Sequence, residues 1–256
     1  MKYFTMLPFM LLICMISAIS SSFGSDRLPV ILFDQAHNQR FLIEQSGDLQ
    51  LSGLADTFKK QGARVISSKA PISAETLKDV SGLVISGAFD KLKPEEIAAV
   101  RQFLSKGGRL AVMLHIGFPV ADLLGELGID ISNSVLHERR NILKKNDLDF
   151  IVKNVVSDHV LFKGLSQFSA YGVWALNSAP PAATIASTSP DAWIDLNGDG
   201  HLSKGDATGS FAVVVTGKKE SGHFVIFGDD AIFQNKFLDQ DNRKLAQNLG
   251  AWLIRR

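Results

Sequence analysis

The chain has 256 residues, with 27 Lys and Arg against 26 Asp and Glu, for a net charge of +1. That balance offers neither the basic face of a nucleic-acid-binding protein nor an acidic tail. Hydrophobic residues make up 46% and charged residues 21%, which excludes a disordered chain and suits one large α/β domain or two small ones.

Lys2 is followed by no charged residue until Asp26. Phe4 to Ile19 is almost wholly apolar, and Ser20-Ser21-Ser22-Phe23-Gly24 follows. A short basic start, an apolar run and a small-residue tail read as a secretory signal peptide over residues 1–24, cleaved after Ser20 or Gly24. An uncleaved anchor is the alternative, because the uncharged stretch is long enough to span a bilayer. The only cysteine, Cys14, lies in this run after Leu11-Leu12-Ile13. A lipoprotein site wants a small residue there, so lipidation fits poorly. Without residues 1–24 the chain has no thiol and no disulfide. It then carries 26 basic and 26 acidic residues. The predicted address is exported, periplasmic or extracellular, with membrane contact only through residues 1–24.

Past the signal, strands and helices alternate. Pro29 to Phe33 is an apolar run ending in Asp34, as in a buried parallel strand. Leu51 to Gly62 has helical spacing, Arg64 to Ile66 reads as a strand, Ser73 to Val80 as a short helix, and Gly82 to Ser86 as a strand. The next helix opens on Pro94-Glu95-Glu96, which suits a first turn, and stops at Gly107-Gly108. Ile97, Val100 and Leu104 share one of its faces. Arg109 to Leu114 is a fourth strand and Val120 to Leu127 a helix. This order predicts a mostly parallel sheet with helices on both faces.

The second half is less regular. Asp149 to Val156 and Ala183 to Ile185 read as short strands, and Ser178 to Pro190, rich in Ser, Pro and Ala, reads as loop. Phe211 to Val215 and His223 to Phe227 are strands with a turn over Gly217 to Gly222. A last helix runs from about Asp241 to Ile254, with Leu245, Leu249, Trp252 and Leu253 on its buried face. No internal repeat or linker appears, so residues 25–256 are read as one domain.

One motif names a ligand by spacing. In Asp195-Leu-Asn197-Gly-Asp199-Gly200-His201-Leu-Ser203-Lys-Gly-Asp206, oxygen side chains fall at loop positions 1, 3, 5, 9 and 12, with glycine at 6. This is the pattern of a twelve-residue calcium loop. The predicted ligands are Asp195, Asn197, Asp199, Ser203 and Asp206 with the His201 carbonyl. Position 12 is Asp rather than the bidentate Glu of a sensor, and no helix flanks the loop. The predicted calcium is therefore structural. A polar Asx-rich turn without an ion is the alternative.

Gly82-Leu-Val-Ile-Ser-Gly87, the Pro94-Glu95-Glu96 helix and Gly107-Gly-Arg-Leu-Ala-Val-Met-Leu-His115-Ile-Gly117 together resemble the class I glutamine amidotransferase-like fold. Phe33-Asp34-Gln-Ala-His37-Asn38 and Phe227-Gly228-Asp229-Asp230, with Asn242, Asn248 and Trp252, belong to the same resemblance, which spans roughly residues 28–256. The likeness is to non-catalytic extracytoplasmic domains of this kind, to ThuA-like proteins and to gliding-motility auxiliary transport proteins. It implies a three-layer, flavodoxin-like sheet. Amidotransferases carry a cysteine at the elbow after the fourth strand, and His115 stands at that place. An imidazole cannot form the thioester that such chemistry needs, so amidotransferase activity is not expected. Gly87 matches the family's oxyanion glycine. His159 with Lys163-Gly164 is similar to a family loop and is read as structural.

Asp34, His37 and Asn38, then Gly87, His115, and Asp229 with Asp230, all follow strands, and carboxyl ends of parallel strands share one rim. The catalytic candidates are His115, Asp34, His37 and Asp229, as bases or as a His/Asp metal site. Helix capping and satisfied loop carbonyls are the alternative. Glu138, Arg139, Arg140, Lys144 and Lys145 read as a solvated face. The expected function is an exported, calcium-stabilised pseudoenzyme domain that binds a small molecule or an envelope protein. The alternatives are a ThuA-like hydrolase or sugar-modifying enzyme, and an accessory subunit of an envelope transporter.

Overall fold

A computed structural model describes Met1 and residues 28–255. Apart from Met1, the expected signal segment at 1–24, with Cys14, lies outside the described residues. No helix among the described residues is long and apolar enough to cross a membrane.

The chain opens with β1 (Val30–Asp34), α1 (Ser52–Lys60), β2 (Arg64–Ser68), β3 (Gly82–Ser86), α2 (Pro94–Ser105), β4 (Arg109–Met113) and α3 (Ala121–Glu126). It continues through β5 (Ile129–His137), β6 (Ile142–Leu143), β7 (Asn146–Val152), β8 (Asn154–Val155), β9 (Phe168–Tyr171), β10 (Trp174–Ser178) and β11 (Ala183–Ser187). It closes with β12 (Ala192–Ile194), β13 (Ala207–Gly209), β14 (Ala212–Lys219), β15 (Gly222–Phe227) and α4 (Gln240–Leu253).

The large sheet runs β13-β12-β5-β10-β14-β15-β4-β3-β1-β2, and β6-β7-β9 form a small second sheet. The sheet is mixed. The block β2-β1-β3-β4-β15 is parallel, as the alternation of apolar runs and helices predicts. From β15 outward through β14, β10, β5, β12 and β13 every pairing is antiparallel. The mostly parallel sheet expected from sequence therefore holds for only half of the molecule.

β1 and β3 are buried along their whole length, so both faces of the parallel block must be covered. Ile31, Phe33, Val84, Met113 and Phe227 pack with Leu54 and Phe58 of α1 and Leu245 and Leu249 of α4. Leu32, Leu83, Ile85, Val112 and Ile226 pack with Val100 and Leu104 of α2 and Leu123 and Leu124 of α3. Alternate residues thus feed two cores. Each wholly buried Leu or Ile contributes about 1.5–3 kcal/mol relative to exposure. Every strand of the sheet and every residue of the two cores named above lies within residues 28–255.

Local chemistry sets the ends. Glu96 reaches back to accept from the Lys93 N–H at 2.9 Å, behind Pro94 at the start of α2. Asp239 caps α4 by accepting from the Asn242 N–H at 2.9 Å. The helix expected over 73–80 is not formed. Ser73 and Thr76 exchange side-chain bonds with each other's backbone N–H groups, at 2.9 and 3.2 Å, and such bonds compete with the helical ladder. The turn expected over 217–222 is shorter, because β14 keeps register with β15 as far as Lys219 opposite Gly222.

Candidate functional site

The carboxyl ends of β3, β4 and β15 meet at one rim. Leu114 N–H donates to Phe227 O and Asp230 N–H to Leu114 O, which brings the segment after β15 beside the one after β4. His115 and Asp230 are paired there, with Nδ1 of His115 3.1 Å from Oδ1 of Asp230. Asp230 is buried, whereas the imidazole is 38% exposed. No protein partner for Nε2 of His115 is present among the described residues. Phe41 meets the ring edge-on at 4.9 Å and Phe89 lies at 5.3 Å. The Arg40 guanidinium stacks 4.4 Å over Phe89, and Trp174 donates its indole N–H to the His115 carbonyl at 3.0 Å.

The bond to Asp230 raises the His115 pKa above the usual histidine value, against desolvation and the nearby charge of Arg40. Burial raises the Asp230 carboxyl, although His115 works the other way. Asp230 Oδ2 is buried without a partner. Gly87, at φ +57°, leaves it room: a Cβ there would sit 2.6 Å from this oxygen. Gly87 donates its own N–H to Met113 O.

His115 itself is not in a left-handed backbone conformation. The elbow position thus lacks both the cysteine and the strained backbone that aims a nucleophile. What remains is an imidazole oriented by a carboxylate, an arrangement able to accept a proton or to bind.

The other rim candidates are spoken for. His37 bridges two carboxylates, with Nδ1 2.7 Å from Asp34 and Nε2 3.2 Å from Glu96. All three side chains are at most 4% exposed. Desolvation lowers the His37 pKa, but Asp34 and Glu96 outweigh it and the net shift is upward. Glu96 is held low by N–H groups of Lys93 and Ile72 and by His37, against its burial. Asp229 accepts from Tyr171 N–H and Ala231 N–H, both at 2.7 Å. Desolvation and the adjacent Asp230 push it well above the ordinary carboxylate range. The structure therefore joins His115 to Asp230, and engages His37, Asp34 and Asp229 in internal bonds. Asn38 takes φ +56° in the loop after β1. Arg40, Phe41, Phe89 and Trp174 were not singled out by sequence, and Glu96 only as a first-turn acid of its helix. Their one signal was position, in loops or a first turn beside strand ends and, for Trp174, at the start of β10.

The loop 195–206 joins β12 to β13, which pair as a hairpin. Carboxylate oxygens of Asp195, Asp199 and Asp206 all lie within 4.8 Å of one another. Asp195 accepts from Gly198 and Gly200 N–H at 2.7 and 2.8 Å. Asp199 accepts from His201 N–H and the Ser203 hydroxyl at 2.9 and 2.8 Å. The Gly200 bond leads in lowering Asp195, and the Ser203 bond in lowering Asp199. Asn197 turns its Oδ1 to the Asp199 N–H and its amide to Ser203. The donor set is all oxygen, which suits a hard cation.

Glu138 corrects the reading of 138–145 as a solvated face. It is 1% exposed. Its carboxylate accepts from the N–H groups of Arg139, Arg140 and Ser189 and from the Ser189 hydroxyl, at 2.7 to 2.9 Å. His159 has a structural place, accepting at Nδ1 from the Leu161 N–H at 3.3 Å.

Comparison with solved structures finds the same fold at low identity. The N-terminal domain of mmIFT52 superposes with a TM-score of 0.72 at 18% identity, over 88% of this chain and 98% of that one. Cytoplasmic protein STM1381 from Salmonella typhimurium LT2 gives 0.61 at 13%, over 89% and 100%. A ThuA-like protein from Bacteroides uniformis gives 0.54 at 14%, over 91% and 94%. At these identities the likeness shows fold alone. No curated protein matches. The family described as Domain of unknown function (DUF4350) matches residues 44–249, a span that holds His115, Asp230 and the 195–206 loop. The chain belongs to the DUF4350 family.

Proposed function

We propose that this protein is an exported, non-catalytic binding domain of the glutamine amidotransferase-like superfamily, with His115 at the centre of its binding rim. The observation that carries this reading is the state of the elbow. An exposed imidazole stands where a nucleophile would be, oriented by buried Asp230 and flanked by Phe41 and Phe89. The other candidates, His37, Asp34 and Asp229, are engaged in internal bonds and so do not join His115 in a catalytic set. A groove of about 250 Å³ beside the elbow is lined by Gly117, Phe118 and Trp174 among others, and Phe118 is 72% exposed. Exposed aromatic surface next to an oriented polar group suits a small molecule or a protein partner. The ThuA-like neighbours and the helices on both faces support the superfamily and its three-layer, flavodoxin-like arrangement. We further propose that calcium on Asp195, Asn197, Asp199, Ser203, Asp206 and the His201 carbonyl pins the hairpin loop.

The test is a titration of the protein with a library of envelope metabolites, followed through the ring signals of His115, Phe41 and Trp174. Ester and glycoside turnover is measured in parallel. Ligand-induced shifts without turnover are expected. Turnover that disappears in His115→Ala would sink the non-catalytic reading.

A further inference from the structure

The register of the parallel block places Arg64 beside Val30, Gly82 beside Ile31, and Arg109 beside both Gly82 and His223. These residues form one row at the amino end of the sheet, opposite the His115 rim. The segments that reach this row are 59–64, 78–82, 106–109, 218–223 and 255. They contain nine Lys and Arg and two acids, Asp79 and Glu220, and two further acids, Asp56 and Glu126, border them. Residues 28–255 as a whole carry 24 basic and 25 acidic residues. The positive charge is therefore gathered at one end of a molecule that is otherwise negative, a basic face that corrects the reading of the even overall charge as having none.

Most of these cations lack a counter-charge. Lys59 pairs with Asp56, and Lys219 donates to the Glu126 carbonyl. Lys60, Arg64, Lys78, Lys106, Arg109, Lys218 and Arg255 make no ion pair among the described residues. Arg109 is held low by burial and by Arg255, and His223 by burial, Arg109 and Lys218. A cavity of about 580 Å³ opens between Lys78, Lys106 and Arg255, with Leu77 and Phe103 in its lining.

The same end receives the chain. Arg64 N–H donates to Pro29 O and Ser81 N–H to Val30 O. The apolar run Phe4 to Ile19 is thus joined to this face by only the short stretch 20–29, which spans at most about 35 Å when extended. We propose that the amino end of the sheet is a docking face for the anionic headgroups of a phospholipid bilayer, which turns the His115 rim away from the membrane. The inference does not depend on the binding function of that rim. Clustered Lys and Arg are attracted to an anionic leaflet, and the attraction is screened by salt. It holds whether the apolar run is kept, and so tethers this end, or is removed.

The test is co-sedimentation of residues 25–256 with phosphatidylcholine vesicles, with and without phosphatidylglycerol. Binding is expected only with phosphatidylglycerol and is expected to weaken with added salt. Lys78→Glu/Lys106→Glu/Arg255→Glu should weaken it at least ~10-fold. Lys144→Glu/Lys145→Glu/Lys153→Glu, with the same charge change near the small sheet, should leave it in place. All six positions are exposed, and melting curves check that each variant is folded. Equal binding to neutral vesicles, or equal loss in both triple variants, would overturn the proposal. So would binding to duplex DNA with no vesicle binding, which would make the face a nucleic-acid surface.

Discussion

Asp230 stands behind His115 with one oxygen 3.1 Å from the imidazole Nδ1 and the other buried without a partner. The pair joins the ends of β4 and β15 across 115 residues of chain, so its geometry is set by sheet register rather than by local sequence. The carboxylate favours the charged imidazole, which raises the His115 pKa. The expected result of Asp230→Asn is a lower His115 pKa, read from the ring carbon shifts across a pH titration. The sign for stability follows from linkage. The folded state binds the His115 proton more tightly, so this contribution is complete below about pH 6.5 and is lost as pH rises through the folded pKa. An unchanged His115 titration in the variant would show that the two groups are not coupled.

Gly87 is a rim position where an added methyl is disfavoured twice over. Its φ of +57° disfavours any side chain, and the new Cβ would press on Asp230 Oδ2. Gly87→Ala is expected to destabilise the protein by about 1–3 kcal/mol in urea denaturation. It should also disturb the His115 ring signal. A change below about 0.5 kcal/mol, the range of an ordinary surface substitution, would mean that the rim gives way more easily than the structure implies.

The 195–206 loop predicts a calcium-dependent melting temperature. Ion binding to the folded state alone adds about 2.7 kcal/mol at a concentration a hundred times the dissociation constant. Added calcium is expected to raise Tm over a chelator control, and Asp195→Asn/Asp199→Asn to remove most of that rise. If calcium leaves Tm unchanged, the three carboxylates serve only the Asx turns they already make.

The parallel half of the fold was legible because β1, β3 and β4 are unbroken apolar runs between helix signals. The antiparallel half was not. β5 does alternate, with Ile129, Ile131 and Val135 at even spacing, but Asp130, Ser132, Asn133 and Ser134 dilute the pattern. β12 and β13 have three residues each, too few for periodicity to register. At the site, His115 and Asp230 could be found because both follow strong strands. The fate of His37 could not, since its second partner Glu96 lies 59 residues away and reads from sequence as a first-turn acid of α2.

Glu138 is the clearest case of a charge hidden by its neighbours in sequence. It opens the run Glu138-Arg139-Arg140, yet it is buried and ties the end of β5 to Ser189, just before β12. A buried carboxylate with four hydrogen bonds is costly to truncate, because its half-buried donors lose their acceptor together. Glu138→Ala is expected to cost about 1–3 kcal/mol. Arg139→Ala, whose side chain lies on the exposed part of the run, should cost less than about 0.5 kcal/mol. Because Glu138 holds the strand that leads into the 195–206 hairpin, Glu138→Ala should also weaken the calcium response. Hydrogen exchange at Ser189 and at β12 distinguishes the two effects. Faster exchange there with an intact calcium response would confine Glu138 to folding, with no role in shaping the loop.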